Sequence, residues 1–464
     1  MRKEVLPVHD TLKRTTALVV LIVAFCAGVG YLVFSLCRDG GKWASDRVNS
    51  HIYSNGTTST SGTIYDRNGV VLVSSEDGER VYNSSRGVRM STLHIVGDTS
   101  GFISTGTQSL YRTKLSGYNI IEGIYGILNR EGKTSNVTLN IDSEACKVAY
   151  NAFGDYNGAI AVYNYKTGEL LCSVSKPSYD VNDVPSNLLR SEYYEGVFLD
   201  KTISGIYTPG SVMKIVTAIS ALQNIPDIES QTFDCDGEYE IGNGSVICFE
   251  VHNHVDFEGA LNNSCNFSFA DITLQLGAQK LLTTAQALGF NKQLYEGDVP
   301  LKKSIFRPSD SDKVELGWAG IGQSTTLLNP SHMLGIVGTI ANGGKGLAPN
   351  RIKSFSTFFG QYSPIANTWF TIDSGIAAKM KALMRSDVIN RYGEYKFPDL
   401  EFCAKTGTAQ LDDADSHSWL AGFSARDDLP LAVVCIAENG GFGSGPATTV
   451  TNEVMQYFLD VYTK

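Results

Sequence analysis

Gly205-Ile206-Tyr207-Thr208-Pro209-Gly210-Ser211-Val212-Met213-Lys214 is where the chain changes period. Pro209-Gly210 opens a helix, after which Val212, Met213, Ile215, Val216, Ile219 and Leu222 spread over several helical faces. A helix apolar on most sides belongs in a domain core. Ser211 and Lys214 then lie one turn apart on one face of that helix, close enough to act together.

Outward from this helix the pattern is mixed. Upstream, Gly158–Tyr165 and Glu169–Ser175 are apolar β-type runs separated by Lys166-Thr167-Gly168, a hairpin signature. Downstream, Ala270–Leu288 and Ser331–Ala341 read as helices and Leu431–Ala437 as a strand. Strands, helices and strands again predict one α+β domain over residues 141–464. Residues 62 to about 140 consist of short runs such as Val70–Val73 broken by Asp66-Arg67-Asn68-Gly69 and Asp77-Gly78, which predicts a small β-rich module with little helix. That module holds no cluster of acid, base and nucleophile, so a spacer or docking role is expected of it.

Thr15–Cys37 contains no charged side chain and is long enough for the roughly 20 residues of a membrane span. Arg2, Lys3, Lys13 and Arg14 precede it against Glu4 and Asp10, while the 464-residue chain as a whole carries a net charge of −10. The acidic excess therefore falls entirely beyond the span. Positive-inside asymmetry predicts a cytoplasmic tail at 1–14, a span at 15–37, and a linker with the β-rich module at 38–140 outside. A cleaved signal peptide is the competing reading, but the run is long for one and no small-x-small cleavage site follows Leu36. The acidic balance argues against a nucleic-acid partner.

Seven of the nine cysteines lie beyond the span, an odd number, so this is no disulfide framework. Cys235 and Cys248 flank a Gly-rich turn. A hairpin with buried or disulfide-linked thiols is the expectation there; His252 and His254 suggest a metal, but the close C-x-x-C knuckle of a structural zinc site is missing.

Two short motifs each occur twice. Ser173-x-x-Lys176 and Lys166-Thr-Gly168 belong to the expected hairpin; on a strand Ser173 and Lys176 point to opposite faces, so these copies are structural. Ser211-x-x-Lys214 has helical geometry, and it is followed in order by Ser264-Cys265-Asn266 and Lys405-Thr406-Gly407-Thr408. With the three elements in this order the chain resembles the penicillin-recognising serine transferases and hydrolases, and more narrowly the class B penicillin-binding proteins, monofunctional peptidoglycan D,D-transpeptidases. The likeness extends to Ala260–Ala270, Gly320-Ile-Gly-Gln323, Ile340–Gly344, Ala404–Gln410 and His417–Phe423.

The resemblance implies an antiparallel sheet flanked by helices and an all-helical part carrying the Ser211 helix. It implies an acyl-enzyme at Ser211, with Lys214 as general base, Ser264 relaying a proton to the leaving amine, and Asn266 holding the acyl chain's amide and positioning Lys214. Lys405, Thr406 and Thr408 would bind the substrate carboxylate, and Gly407 would let the substrate backbone lie against its strand. The backbone N–H groups of Ser211 and Thr408 would form the oxyanion hole. It implies peptidoglycan stem peptides as substrates, β-lactams as inhibitors, no cofactor, no metal, and a partner glycan polymerase, a multi-span membrane protein of the shape-elongation-division type. Departures include Ser61 where the family often has Arg, and Asp200-Lys201 where Asn-Arg is common. A β-lactamase or D,D-carboxypeptidase, and a non-catalytic β-lactam sensor or scaffold, are the alternatives. Asn439–Gly445 reads as a turn, His417 as structural, and Cys265 lacks the His partner a thiol nucleophile requires.

Overall fold

The computed structural model describes residues 8–44, 61–77, 79–116, 135–357, 360–409, 415–443 and 445–463, together with two short strand segments at 53–54 and 57–58. Most of the expected linker at 45–60 lies outside the described residues, as does Gln410.

Helix α1 (Val8–Ala44) contains the apolar run and extends past it at both ends. Within it, Thr11–Trp43 is long and apolar enough to cross a membrane, and none of its most apolar stretch is buried against protein. Leu18, Leu21, Phe25 and Leu32 all point outward, which suits hydrocarbon rather than a protein core.

The next module carries the expected strands β1 (Ile64–Tyr65), β2 (Val71–Glu76) and β3 (Glu79–Tyr82). It also carries helix α2 (Arg86–Val96), which corrects the expectation of little helix. Val88 and every residue from Ser91 to Val96 are buried, and three of these seven, Ser91, Thr92 and His94, are polar, which obscures the helical pattern in the sequence. Strand β4 (Asn136–Leu139) runs parallel to β1, and α3 (Ser143–Ala152) follows it. Asp66 ties the two segments together: its fully buried carboxylate accepts from the Ser143 N–H and hydroxyl at 3.2 and 2.7 Å.

The hairpin β5 (Gly158–Asn164) and β6 (Leu170–Lys176) forms as expected, buried along its whole length. After it come α4 (Lys214–Asn224), the strands β7 (Thr232–Cys235), β8 (Glu238–Ile241), β9 (Gly244–Ile247) and β10 (Asn253–Asp256), then α5 (Phe257–Asn262) and α6 (Asn266–Ala287). Next are α7 (Pro330–Ala341), β11 (Ile352–Thr357), β12 (Gly360–Tyr362) and α8 (Ser374–Asp387). The chain ends with β13 (Phe402–Ala409), β14 (His417–Ser424), β15 (Leu431–Ala437) and α9 (Pro446–Tyr462).

Two sheets result. A five-stranded antiparallel sheet of order β13-β14-β15-β5-β6 is the centre of the larger unit. Helices α3 and α9 pack on one of its faces and α7 on the other, which is why β5, β6 and β15 are continuously apolar rather than alternating. Helix α4 packs on α6 in a separate helical layer. The other sheet has the order β12-β11-β4-β1-β2-β3, so two of its six strands come from residues 352–362, far beyond position 140. The smaller module is therefore built into the larger unit by hydrogen-bonded strands, not only joined to it by a linker.

Candidate active site

Ser211 sits in a single 3-10 turn, Gly210–Met213, that runs straight into α4. The turn lies hard against β13. Gly210 has φ +57°, and a Cβ there would stand 2.4 Å from the Thr408 carbonyl oxygen, so only glycine fits. Gly407 is its counterpart on the strand, where a Cβ would meet the Pro209 carbonyl oxygen at 2.8 Å. Gly210 N–H donates to Gly322 O at 2.9 Å and Trp419 Nε1 donates to Thr208 O at 3.1 Å, pinning the turn from both sides.

Lys214, one turn on, is fully buried. Its ammonium donates to Ser264 O at 2.5 Å, to Ser264 Oγ at 3.1 Å and to Asn266 Oδ1 at 2.8 Å. Burial, then the nearby Lys405 charge, pushes its pKa down to about 7. An amine so placed is neutral in a large fraction of molecules at physiological pH and able to accept a proton.

Ser264 occupies the turn between α5 and α6 with φ +52°, a left-handed conformation that is strained for a residue with a Cβ. Asn266 begins α6 and is held on its other side by donating Nδ2–H to Ile247 O at 2.8 Å. The middle residue, Cys265, is buried with its sulfur 3.8 Å from that of Cys248, away from the cavity.

Lys405, Thr406, Gly407 and Thr408 lie on β13, paired with Ala421, Leu420, Trp419 and Ser418 of β14. Lys405 Nζ is 3.4 Å from Asp387 Oδ2 and donates to the Tyr392 hydroxyl at 3.2 Å. Burial alone would lower the Lys405 pKa, but Asp387 and Tyr392 outweigh it and hold the side chain charged. Burial raises Asp387 to about 6 and Tyr392 to about 12. The Tyr392 hydroxyl donates to Asp387 Oδ2 at 2.8 Å and lies 3.0 Å from both the N–H and the hydroxyl of Thr406. Tyr392 closes a π-helical turn, Val388–Tyr392, that continues α8. Neither Asp387 nor Tyr392 was anticipated from the sequence.

Ser211, Ser264, Lys405, Thr406 and Thr408 line one cavity of about 280 Å³, with Phe442, Gly443, Arg391 and Tyr392 on its rim and walls. The structure thus brings all three motifs together. Two lysines differing in charge state, a half-buried serine at a helix entrance and a strand edge form a site for acyl transfer to a hydroxyl. The duplicate motifs stay outside it: Ser173 Oγ contacts Thr202 Oγ1 at 3.2 Å, Lys176 is engaged with Gly154 O, and Lys166–Gly168 makes the β5–β6 turn. Asn439–Gly443 is a turn as expected, and Gly443 N–H donates to Thr408 Oγ1 at 3.1 Å. His417 Nδ1 accepts the Asn439 N–H at 3.1 Å, so that nitrogen serves the same turn.

Residues 158–456 match the family model of the penicillin binding protein transpeptidase domain. The chain belongs to this family. The peptidoglycan D,D-transpeptidase PbpA of Mycolicibacterium smegmatis is 25% identical over 385 residues, covering 74% of this chain and 76% of that protein. Penicillin-binding protein A of M. tuberculosis, solved as a penicillin G acyl-enzyme complex, superposes with a TM-score of 0.75 at 22% identity, covering 86% of this chain and 99% of that one. The D,D-transpeptidase domain of a peptidoglycan glycosyltransferase from Eggerthella lenta gives 0.74 at 25% identity, with 86% and 98% covered. The antiparallel sheet and the separate helical layer are those of this transpeptidase fold.

Proposed function

We propose that the chain is a membrane-anchored serine D,D-transpeptidase that cross-links peptidoglycan stem peptides and is acylated by β-lactams. The observation that carries this reading is Lys214: fully buried, held by Ser264 and Asn266, and brought to about pKa 7 at the foot of the serine turn.

In the first step Ser211 Oγ attacks the carbonyl carbon of the penultimate D-Ala while its proton passes to neutral Lys214. The backbone N–H groups of Ser211 and Thr408 receive the developing oxyanion. The proton then moves by way of the Ser264 hydroxyl to the leaving nitrogen, the C–N bond breaks, and the terminal D-Ala departs. Lys405, with Thr406 and Thr408, binds the carboxylate of that terminal residue, and Asn266 holds the acyl chain's amide. Gly407 lets the substrate backbone lie along β13, and an amine from a second stem peptide attacks the ester to complete the cross-link and free Ser211. A β-lactam enters the same route, but its leaving nitrogen stays tethered.

In this reading residues 1–14 are cytoplasmic, 15–37 span the membrane, 38–140 form a pedestal and 141–464 the catalytic domain on the outer side. The positive tail and the acidic remainder support that orientation. Glycan polymerisation is left to a multi-span membrane polymerase partner. The test is covalent labelling by a fluorescent penicillin: Ser211→Ala abolishes the band and Ser173→Ala keeps it. Label that persists for many minutes supports the transpeptidase, whereas release within seconds would make the protein a β-lactam hydrolase.

A further inference from the structure

Four metal-ligating side chains converge beside the second motif from four separate places in the chain. Cys235 ends β7, Cys248 follows β9, His252 precedes β10, and Cys265 caps α6. The nested pairing of β7 with β10 and of β8 with β9 brings the first three together, and the α5–α6 turn delivers the fourth. Their ligand atoms all lie within 4.8 Å of one another, and the three thiols are free and buried. Of the two alternatives the sequence left at Cys235 and Cys248, the structure shows the first, buried thiols that are not joined.

Three of the six spacings match the edges of a coordination tetrahedron, and the other three lie within 4.8 Å. Cys248 Sγ is 3.8 Å from Cys265 Sγ, and His252 Nδ1 is 3.5 Å from Cys235 Sγ and 3.4 Å from Cys248 Sγ. Zinc bonds of about 2.3 Å to sulfur and about 2.0 Å to nitrogen give tetrahedral edges of about 3.8 Å between sulfurs and about 3.5 Å between sulfur and nitrogen. A disulfide would use two of the three sulfurs and give the imidazole nothing to do.

We propose that Cys235, Cys248, His252 and Cys265 hold one zinc ion in a closed Cys3His site. Thiolate and imidazole donors in a tetrahedron suit zinc above harder divalent ions, and four protein ligands leave no open position for chemistry on the metal. Polar hydrogens surround the sulfurs as they do in thiolate sites. Asn266 N–H donates to Cys248 Sγ at 3.1 Å, and Ser268 N–H and Oγ–H donate to Cys265 Sγ at 3.4 and 3.1 Å. Long-range strand pairing does here what a close C-x-x-C knuckle does in many structural zinc sites.

The ion would fasten the residues on either side of its ligands. Cys265 lies between Ser264 and Asn266, and Cys248 follows Ile247, whose carbonyl accepts from Asn266 Nδ2. The zinc is thus a positioning element for the second motif, holding Ser264 in its left-handed turn and Asn266 against Lys214.

The test is metal content of the full chain purified in detergent without added metal. About one zinc per chain is expected. Cys235→Ser and His252→Gln should each reduce it at least about tenfold. His254→Gln should retain it, since His254 is exposed and contacts Asp234 at 2.7 Å. Cobalt supplied to the apo wild-type chain should give thiolate charge-transfer and tetrahedral visible bands that added zinc removes, a readout that does not depend on any variant folding. Wild-type protein with neither zinc nor cobalt–thiolate bands would overturn the proposal, as would a mapped Cys248–Cys265 disulfide or loss of zinc in His254→Gln. Metal content is read independently of penicillin labelling, so failure here leaves the acyl-transfer reading standing, and the reverse.

Discussion

Lys214 Nζ lies 2.8 Å from Asn266 Oδ1, inside a pocket where neither side chain has useful contact with water. The neutral amide accepts a hydrogen bond from the lysine without adding charge. Of the main influences on Lys214 among the described residues, Lys405 is the cation, and it opposes a second positive charge. The two lysines of the site therefore differ in charge state, Lys214 having lost much of its affinity for protons and Lys405 having gained some, as the proposed roles of base and carboxylate-binding cation require.

The pH dependence of acylation follows from that difference. Lys214 must be neutral to take the Ser211 proton, and its pKa near 7 means the protonated, inactive form gains as pH falls. The second-order rate of penicillin acylation should rise with an inflection near pH 7 and drop about tenfold for each pH unit below it. Lys405→Met removes the charge that lowers Lys214, so the inflection of its residual rate should move upward. A stopped-flow or gel-based labelling profile from pH 5 to 9 reads both.

Replacing the neutral acceptor by a charged one should do the same more strongly. Asn266→Asp puts a carboxylate beside Lys214 and favours its protonated form, which should raise the inflection by at least about one unit. At pH 7 labelling should fall about tenfold or more, with recovery toward pH 9. Loss that no pH restores would mean that the Asn266 amide acts through substrate contact rather than through the lysine.

Tyr392 joins Asp387, Lys405 and Thr406 through one hydroxyl. Tyr392→Phe keeps the ring and deletes those bonds, leaving Asp387 Oδ2 and Lys405 Nζ at 3.4 Å to pair directly. In the proposed mechanism the affected groups bind the carboxylate, so the loss should appear as weaker initial binding, about five- to tenfold, with the limiting acylation rate nearly kept. A saturating rate that collapses while binding holds would place Tyr392 in the proton route instead.

Legibility in the sequence followed the range of each interaction. Ser211 and Lys214 are one helical turn apart, Ser264 and Asn266 share one tight turn, and Lys405 to Thr408 share one strand, so each motif is local, and it is their order along the chain that carries the resemblance and separates them from the duplicate copies. The continuously buried β5, β6 and β15 were also visible, since a strand covered on both faces must be apolar throughout. Tyr392 was not, because it reaches Lys405 through a π-helical turn that breaks the helical period. Cys265 could be placed with Cys235 and Cys248 only once the register of two nested strand pairs was known. Helix α2 was missed because Ser91, Thr92 and His94 interrupt its buried apolar residues.

Arg351 supports the nucleophile segment from below and lends itself to a stability test. Fully buried, it contacts Glu296 Oε1 through Nε at 2.8 Å and through Nη2 at 2.7 Å, and Nη1 donates to Thr105 O at 2.9 Å in the smaller module. Asp200, 3.9 Å away, caps the short helix that leads into the serine turn by accepting from Thr202 N–H at 3.1 Å. Arg351→Met leaves two buried carboxylates without a counterion and should destabilise the fold by about 3–5 kcal/mol. The sign of its pH dependence is fixed by burial, which already raises Glu296 and would raise it further without Arg351. A carboxyl whose folded pKa exceeds its unfolded one binds more protons when folded, so stability falls as pH rises through that interval. The deficit of Arg351→Met, measured by thermal unfolding of the full chain, should therefore be larger at pH 8 than at pH 5. Arg351→Met combined with Glu296→Leu should recover part of it, because an apolar pair leaves only Asp200 to be neutralised; an equal deficit at both pH values, or none recovered, would show that Arg351 acts by packing rather than by charge.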